Sequence, residues 1–514
     1  MKDINIQEFP AFMAALREQG FDYLRDIVGF DTGTALGALY YLENSTTYEQ
    51  TVVKVQTEER EVSTLPSVSH LWKTAVIKER EAFDFFGIHF TGNPDMRRLF
   101  LREDWKGYPL RKDYDLSSNP LNMDNELNSD ETDEWTVTGD GELQALKHTI
   151  FNKEDFVVNI GPQHPSTHGV LRLRTSLDGE TVKKIDPVCG YIHRGVEKMA
   201  ESMTYPQILA MTDRLDYLSA TQNRHALCMC IEKATEIEVP LRAQYIRTIV
   251  DELQRVNSHL LYFSCLVLDM GGLTPFFYGF RDREMILDIL EDTTGGRLIQ
   301  NYYVIGGVQD DLHANFISKT KAFIKHMRGI VHEYHNIFTG NVIVRERLIG
   351  VGLLSKEDAI SLGATGGTGR ASGWANDVRK HHPYALYDQI DFKEIVYQNG
   401  DSFDRYMVRM DEMMQSMNII EQLIDNIPEG DYKVKTKPII KLPEGTFEAA
   451  VESSRGEFAV FIISDGGKSP ARMHFRSTGL PLVHALDTIC KGTKIADLIA
   501  IGGTLDYVIP DIDR

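Results

Sequence analysis

Three segments concentrate side chains that can hold or move a proton. Residues 161–170, GPQHPSTHGV, put His164 and His168 into a loop with two Gly and two Pro. Proline fixes the backbone and glycine permits tight turns, so such a loop presents its imidazoles at defined places. An imidazole exchanges its proton near neutral pH. Residues 212–220, TDRLDYLSA, crowd Asp213, Arg214, Asp216 and Tyr217 into an otherwise apolar stretch predicted to be helical. Buried without partners they would cost several kcal/mol, so they must pair or face a cavity. Residues 268–284, LDMGGLTPFFYGFRDRE, set Asp269 at the end of a long helical pattern; Gly271, Gly272 and Pro275 then turn the chain before RDRE opens another helix. Taken singly, each segment also has a plain structural reading: a Gly/Pro turn with satisfied histidines, a polar surface stripe, a helix cap. A fourth segment, TGGTGR at 365–370, is Gly-rich but matches neither the P-loop nor GxGxxG.

The elements that must position these groups follow from periodicity. In 241–270, Ile246, Ile249, Leu253, Val256, Leu260, Phe263 and Val267 recur at spacings of 3 and 4, the seam of a helix packed in a bundle. Further helices are predicted at 203–236, 281–294, 314–338 and 401–426. Ahead of them, FVVNI (156–160), VLRLRTSL (170–177) and TVKKIDPV (181–188) read as strands, with Asp178-Gly179 as a hairpin turn. The tail, 447–509, reads as strands and Gly-rich turns. Near the N-terminus, Phe9, Phe12, Met13 and Leu16 share one helical face; strands are expected at 35–44 and 48–57 and a second helix around 70–87. Residues 115–142 carry nine Asp/Glu and no Lys or Arg, the composition of an extended, solvated linker. The expected class is α+β: a small N-terminal α/β domain (1–114), an acidic linker (115–150), and a large domain (151–514). The large domain is expected to have a hairpin sheet, a central helical bundle and a β-rich tail.

Composition removes several classes of function. The chain has 514 residues, 42% hydrophobic and 25% charged, with a formal net charge of -20. That charge counts against nucleic acid as a partner. Five cysteines without a CxxC pair fit neither a disulfide framework nor a cysteine-held metal or cluster. No basic region leads into an apolar run at the N-terminus, so no signal peptide is expected. The most apolar stretch, 260–268, is less than half a bilayer long.

Together the motifs carry a resemblance. GPQHPSTHGVLRL, IHRGVEKMAE, TDRLDYLSA, GGLTPFFYGFRDRE, GRASGWANDVRK (369–380) and SSRGEFAVFIISDGG resemble, in order, the D subunit of respiratory complex I, the proton-pumping NADH–quinone oxidoreductase. EREAFDFFGIHFTGNPDMRRLFLREDWKGYPLRKDYDL (79–116) resembles the signature of its C subunit. The likeness covers about 60–118 and 155–514, and suggests a natural C/D fusion. It implies an enzyme subunit of the translocase type, peripheral on the cytoplasmic side of the inner membrane. There the family forms a quinone cavity with a cluster-bearing B-type subunit, beside the I-type and membrane H-type subunits. It further implies that His168 and Tyr217 hold the quinone headgroup near His164, that Asp269 pairs with His168, and that Arg194 and Arg214 lie near the partner's terminal iron–sulfur cluster. Quinone is then the substrate, and this chain alone binds no cofactor and no metal.

The chemistry agrees with those roles. Reducing a quinone to its quinol takes two electrons and two protons. A Tyr hydroxyl at one carbonyl and an imidazole at the other can anchor the ring and supply the protons. A carboxylate beside the His should keep it protonated until the proton is needed. Losing that proton changes the charge of a buried pair, a trigger for conformational coupling to pumping.

The D subunit also resembles the large subunit of nickel–iron hydrogenases, but the four metal-holding thiolates of that family read Asp216, Ser219, Val508 and Asp511 here, without the soft ligands such a site needs. A second alternative is a scaffold without quinone chemistry, and the charge-rich C part, with ERE at 79–81 and RR at 97–98, reads as interface and fold pairs. One departure stands out: many relatives carry a His at the position of Ile299, near the cluster. Its absence predicts a weakly pH-dependent, lower cluster potential, suited to menaquinone.

Overall fold

The computed structural model describes residues 1–57, 59–61, 63–115, 130–138 and 143–514. It is α+β, with the helices concentrated in the second half. The N-terminal sheet has four strands in the order Lys2–Asp3, Gln50–Gln56, Leu36–Glu43, Tyr23–Asp31. The Phe9–Glu18 helix buries Phe9, Met13 and Leu16, and the Ala75–Phe86 helix packs on the Tyr23–Asp31 strand. That strand escapes sequence reading because Arg25 and Asp26 interrupt its apolar run, yet both are buried. Arg25 meets Glu457 at 2.7 Å, while Asp26 meets Lys78 and His474 at 3.0 Å each.

Those pairs reach the C-terminal sheet, Gly445–Ser453, Gly456–Ser464 and Arg472–Arg476. The two halves share their cores. Phe9, Tyr40, Trp72 and Phe86 belong to one apolar cluster with Leu171, Leu480 and Ile509, and Val28, Phe30 and Tyr41 pack with Ala459 and Phe461 in another. The charges of the 79–98 region act as fold and interface pairs: Arg98 with Asp84 at 2.9 Å, Arg97 with Asp186 at 2.7 Å, and Glu81 with Arg514 at 2.7 Å.

In the large part, Phe156–Ile160, Arg172–Asp178 and Thr181–Val188 form an antiparallel sheet, with the expected turn at Asp178-Gly179 and Gly179 at φ +59°. The Leu241–Asp269 helix runs through the bundle core against Leu273–Thr294 and Ser402–Leu423.

Three expectations need correction. The described part of the acidic linker is not a free solvated tether: Glu131–Val137 and Leu143–Thr149 pair as antiparallel strands. Its foothold is Trp135, whose ring meets His89 at 4.8 Å and whose carbonyl accepts from Gly92 N–H. Residues 116–129 and 139–142 of that linker lie outside the described residues. The tail is not strand throughout. After Arg476 it is helical, at Gly479–His484, Leu486–Cys490, Ile495–Leu505 and Ile509–Asp513. Gly502 and Gly503, which read as a turn, sit inside a helix, where a Cβ at 503 would come within 3.0 Å of Asp269 Oδ2 and 3.3 Å of Leu266. The predicted helix over 203–236 is two, Tyr205–Thr212 and Ala220–Thr235, with Tyr217 in the turn between them. Asp216 makes that break by accepting from Leu218 N–H at 2.9 Å, a local bond that competes with the helical ladder.

Candidate functional site

His168 lies at the end of a short 3-10 turn, Pro165–Thr167, with left-handed backbone at φ 52°. The next residue, Gly169, has φ 147°, and a Cβ there would meet Ile509 at 2.6 Å. The loop is thus seated on the C-terminal helices, and its second imidazole is delivered to the end of the Leu241–Asp269 helix. His168 Nε2 meets Asp269 Oδ2 at 2.8 Å, with the His side chain 26% exposed and the carboxylate 12%. Burial works against charge on the imidazole, but the hydrogen bond and charge of Asp269, joined by the charge of Asp506, hold the His168 pKa above the ordinary value.

Tyr217 is half-buried, and among the described residues its hydroxyl has no hydrogen-bond partner. Burial, then the neighbouring Asp216 carboxylate, raises its pKa, so the phenol stays protonated. The other polar groups of this turn are held from outside it. Asp213 pairs with Arg224 at 3.4 Å and accepts from Asn301 N–H at 2.9 Å; Asp216 meets Arg455 at 2.9 Å. The expectation that these groups must pair or face a cavity is met by pairing at Asp213 and Asp216, and by a cleft at Arg214.

Arg194 and Arg214 come together at the surface. Arg194 Nη2 donates to the Arg214 carbonyl at 2.9 Å, and burial together with the Arg214 charge lowers the Arg194 pKa. They line a cleft of about 440 Å³ whose walls include Met199, Met203 and Met211. Ile299 lies two residues from Asn301, which bonds Asp213 next to Arg214. His164 is not brought to the His168–Asp269 pair; it is exposed, and its Nδ1 accepts from Ser166 N–H at 3.2 Å as the cap of the 3-10 turn.

Two residues missed in sequence complete the arrangement. Arg455, fully buried, contacts Asp216 at 2.9 Å, Ser258 at 3.1 Å and Asp506 at 3.0 Å. Asp506, in left-handed conformation at φ 59°, ends the Ile495–Leu505 helix. The clue to Arg455 was the resemblance of SSRGEF itself; nothing in periodicity marks either residue. Two of the four positions that would hold metal in a hydrogenase are committed to internal carboxylate bonds: Asp216 to Arg455, and Asp511 to Ser477, Thr478 and the Gly479 N–H. A second cavity of about 460 Å³ lies at the junction of the two halves, lined by Glu43, His225, His382 and Tyr384, and contains none of the predicted site residues.

Among the described residues no helix is long and apolar enough to cross a membrane. The five cysteines are free, and four are buried.

Two family profiles match separate stretches of the chain. The profile of the family described as "Respiratory-chain NADH dehydrogenase, 30 Kd subunit" matches residues 3–120, and that of the "49 Kd subunit" matches 269–440 and 435–514. The C/D subunit of NADH-quinone oxidoreductase from Bacteroides fragilis is 64% identical over 509 residues, covering 97% of this chain and 96% of that protein. Its counterpart in Phocaeicola vulgatus is 64% identical over 504 residues, covering 98% and 97%. The D subunit of NADH-quinone oxidoreductase from Desulfotalea psychrophila is 48% identical over 370 residues, covering 72% of this chain and all of that protein. The chain belongs to the family of fused C/D subunits of NADH-quinone oxidoreductase, respiratory complex I.

Proposed function

We propose that this chain forms the headgroup end of the quinone cavity, with His168 and Tyr217 as the two ligands and proton donors and Asp269 as the partner of His168. The observation that carries the reading is the pairing of a partly open His168 with Asp269 at 2.8 Å, together with a Tyr217 hydroxyl that has no hydrogen-bond partner among the described residues, the Asp506 charge acting on both. A carbonyl oxygen at each end of the substrate ring would accept from the phenol and from the imidazolium, and each donor would release one proton as two electrons arrive. Those electrons come from the iron–sulfur cluster of the B-type partner, because this chain's cysteines offer no cluster-ligating set. Arg194 and Arg214 face that partner across the methionine-lined cleft, where their charge favours the reduced cluster. The I-type and membrane H-type subunits complete the surroundings, on the cytoplasmic side of the inner membrane. Residues 1–114 act as the C-like scaffold and 151–514 as the D-like part, a fold related to the hydrogenase large subunit. Ile299, beside the Asp213–Arg214 turn, leaves the cluster without a titrating neighbour, which suits menaquinone. Loss of the His168 proton changes a buried charge and couples the reaction to proton translocation.

Replacing Tyr217 by Phe tests this. The ring still packs, while a donor aimed at developing charge is lost, a change worth about 3–4 kcal/mol or roughly 10²–10³ in rate. Donor-to-quinone electron transfer in membranes matched for assembled complex should fall by that factor, with electron transfer to an artificial upstream acceptor preserved. A change below twofold would make Tyr217 structural and remove the proposed site.

A further inference from the structure

Arg455 is a buried guanidinium that ties the turn carrying Tyr217 to the C-terminal helices on which the His168 loop is seated. On one side its Nη1 donates to Asp216 Oδ2 at 2.9 Å, one residue before Tyr217, and lies 3.4 Å from Ser219 Oγ at the end of the same turn. On the other, its Nε donates to the Asp506 carbonyl at 2.7 Å and its Nη2 to Asp506 Oδ1 at 3.0 Å. Asp506 sits between two residues that hold the His168 loop. Gly503, one turn earlier, lies against Asp269, and Ile509, three residues later, lies against Gly169. The second carboxylate oxygen, Asp506 Oδ2, is buried without a hydrogen bond among the described residues, with Arg409 at 3.5 Å.

We infer that the Asp216–Arg455–Asp506 bridge is a positioning device that fixes the Tyr217 turn and electrostatically couples the two proton donors. This inference rests on the quinone reading above. The negative charge of Asp506 acts on His168 and on Tyr217 alike, raising the pKa of each. Asp269 is the other acid facing His168. Tyr217 is faced by Asp216, Arg455 and Cys265, and acts in turn on Arg283 of the next helix. Because the bridge is buried, a change of charge at one end is weakly screened at the other. Coupling of this kind is reciprocal: a proton lost by either donor makes the other hold its own more tightly.

Two substitutions separate the two roles in the assembled complex. Asp506→Asn removes the charge but keeps side-chain hydrogen bonding, and Asn tolerates left-handed backbone. The alkaline limb of the pH–rate profile for quinone reduction, where His168 loses its proton, should then move down by roughly one pH unit. Arg455→Lys keeps the charge but cannot span both carboxylates with one fork. It should raise the quinone KM several-fold and leave that limb in place. In the Arg455→Lys background, Tyr217→Phe should cost less than it does in the wild type, because the turn is already displaced. A slower Asp506→Asn enzyme with an unmoved limb, or full additivity between Arg455→Lys and Tyr217→Phe, would mean that the bridge only supports the fold, and overturns the inference. If Tyr217→Phe is itself silent, the quinone reading falls and takes this inference with it. If Tyr217→Phe is impaired but the limb stays, only the inference fails.

Discussion

At the scale of single residues, the state of His168 turns on a contest between burial and two carboxylates. Asp269 supplies the hydrogen bond and the nearer charge, and burial alone would push the imidazole toward its neutral form. Asp269→Asn therefore lowers the His168 pKa, so the protonated fraction is lost at a lower pH than in the wild type. We expect quinone reduction by the assembled variant to drop roughly tenfold near pH 7.5 and to recover in part toward pH 6, where the imidazole recharges. An equal loss at both pH values would contradict the assigned role. The His–Asp pairing was legible only through family resemblance, since 101 positions separate the partners. Local chemistry marked both segments as unusual without bringing them together. His164, equally conspicuous as a letter in the loop, proves to cap a turn.

At the scale of elements, the instructive failure is the stretch between Thr212 and Ala220. Its apolar periodicity continues across Leu215 and Leu218, both buried, so a helix is the natural reading. What stops it is a tertiary contact with Arg455, which no local pattern could reveal, together with the Asp216–Leu218 bond. The acidic hairpin is the reverse case. Its charges read as solvated, and many of its side chains are exposed, but two residues anchor it: Thr132 Oγ1 donates to Asp95 at 3.1 Å, and Trp135 packs on the N-terminal apolar cluster. The Ile299 segment supports a prediction at this scale. Ile299→His should give the partner's cluster a potential that falls with pH between 6 and 8 at a slope approaching ~60 mV per unit, one proton per electron. A potential equally flat in both chains, followed by redox titration, would place Ile299 away from the cluster.

At the scale of the whole molecule, the junction of the two halves is built from buried charge as well as apolar surface. His474 is its centre, 3.0 Å from both Asp26 and Glu197 and 3.7 Å from Glu81. Glu81, Glu197 and His474 have the spacing of a metal site, but Arg472 and Arg514 already neutralise the two carboxylates. Burial opposes charge on His474, yet Glu197 and Asp26 raise its pKa above the ordinary value. A raised histidine contributes stability that is complete below about 6.5, its unfolded value, and is lost as pH rises through the folded one. Calorimetry of the purified chain should therefore show Tm declining above that pH, and His474→Gln should lower Tm at pH 6 while flattening the decline. A variant with the wild-type slope would show that other groups set it. Apart from the Tyr23–Asp31 strand and the C-terminal helices, the apolar elements of both halves could be read from periodicity, but their fusion into common cores could not, because Tyr41 and Phe461 meet at 4.2 Å across more than 400 positions. A protease site inserted between residues 116 and 129 tests that fusion directly. After cleavage the two fragments should co-migrate on a native gel and separate only in denaturant; their separation in mild buffer would refute a shared core.

The same junction bears on why the two parts travel as one chain. The Desulfotalea psychrophila relative carries the D part as a separate protein, aligned from end to end with 72% of this chain. There, any contact equivalent to the shared core would form between separate molecules, with an occupancy set by their concentrations. In the fusion the partner is always present, at an effective concentration fixed by the covalent link and not by expression. Lesions in the interface are thereby buffered. A substitution that cuts the affinity of the two parts a hundredfold would dissociate separate proteins at low expression but leave the fused protein paired, in fixed one-to-one stoichiometry. The fusion can therefore tolerate buried charges at its junction that two free proteins would have to optimise.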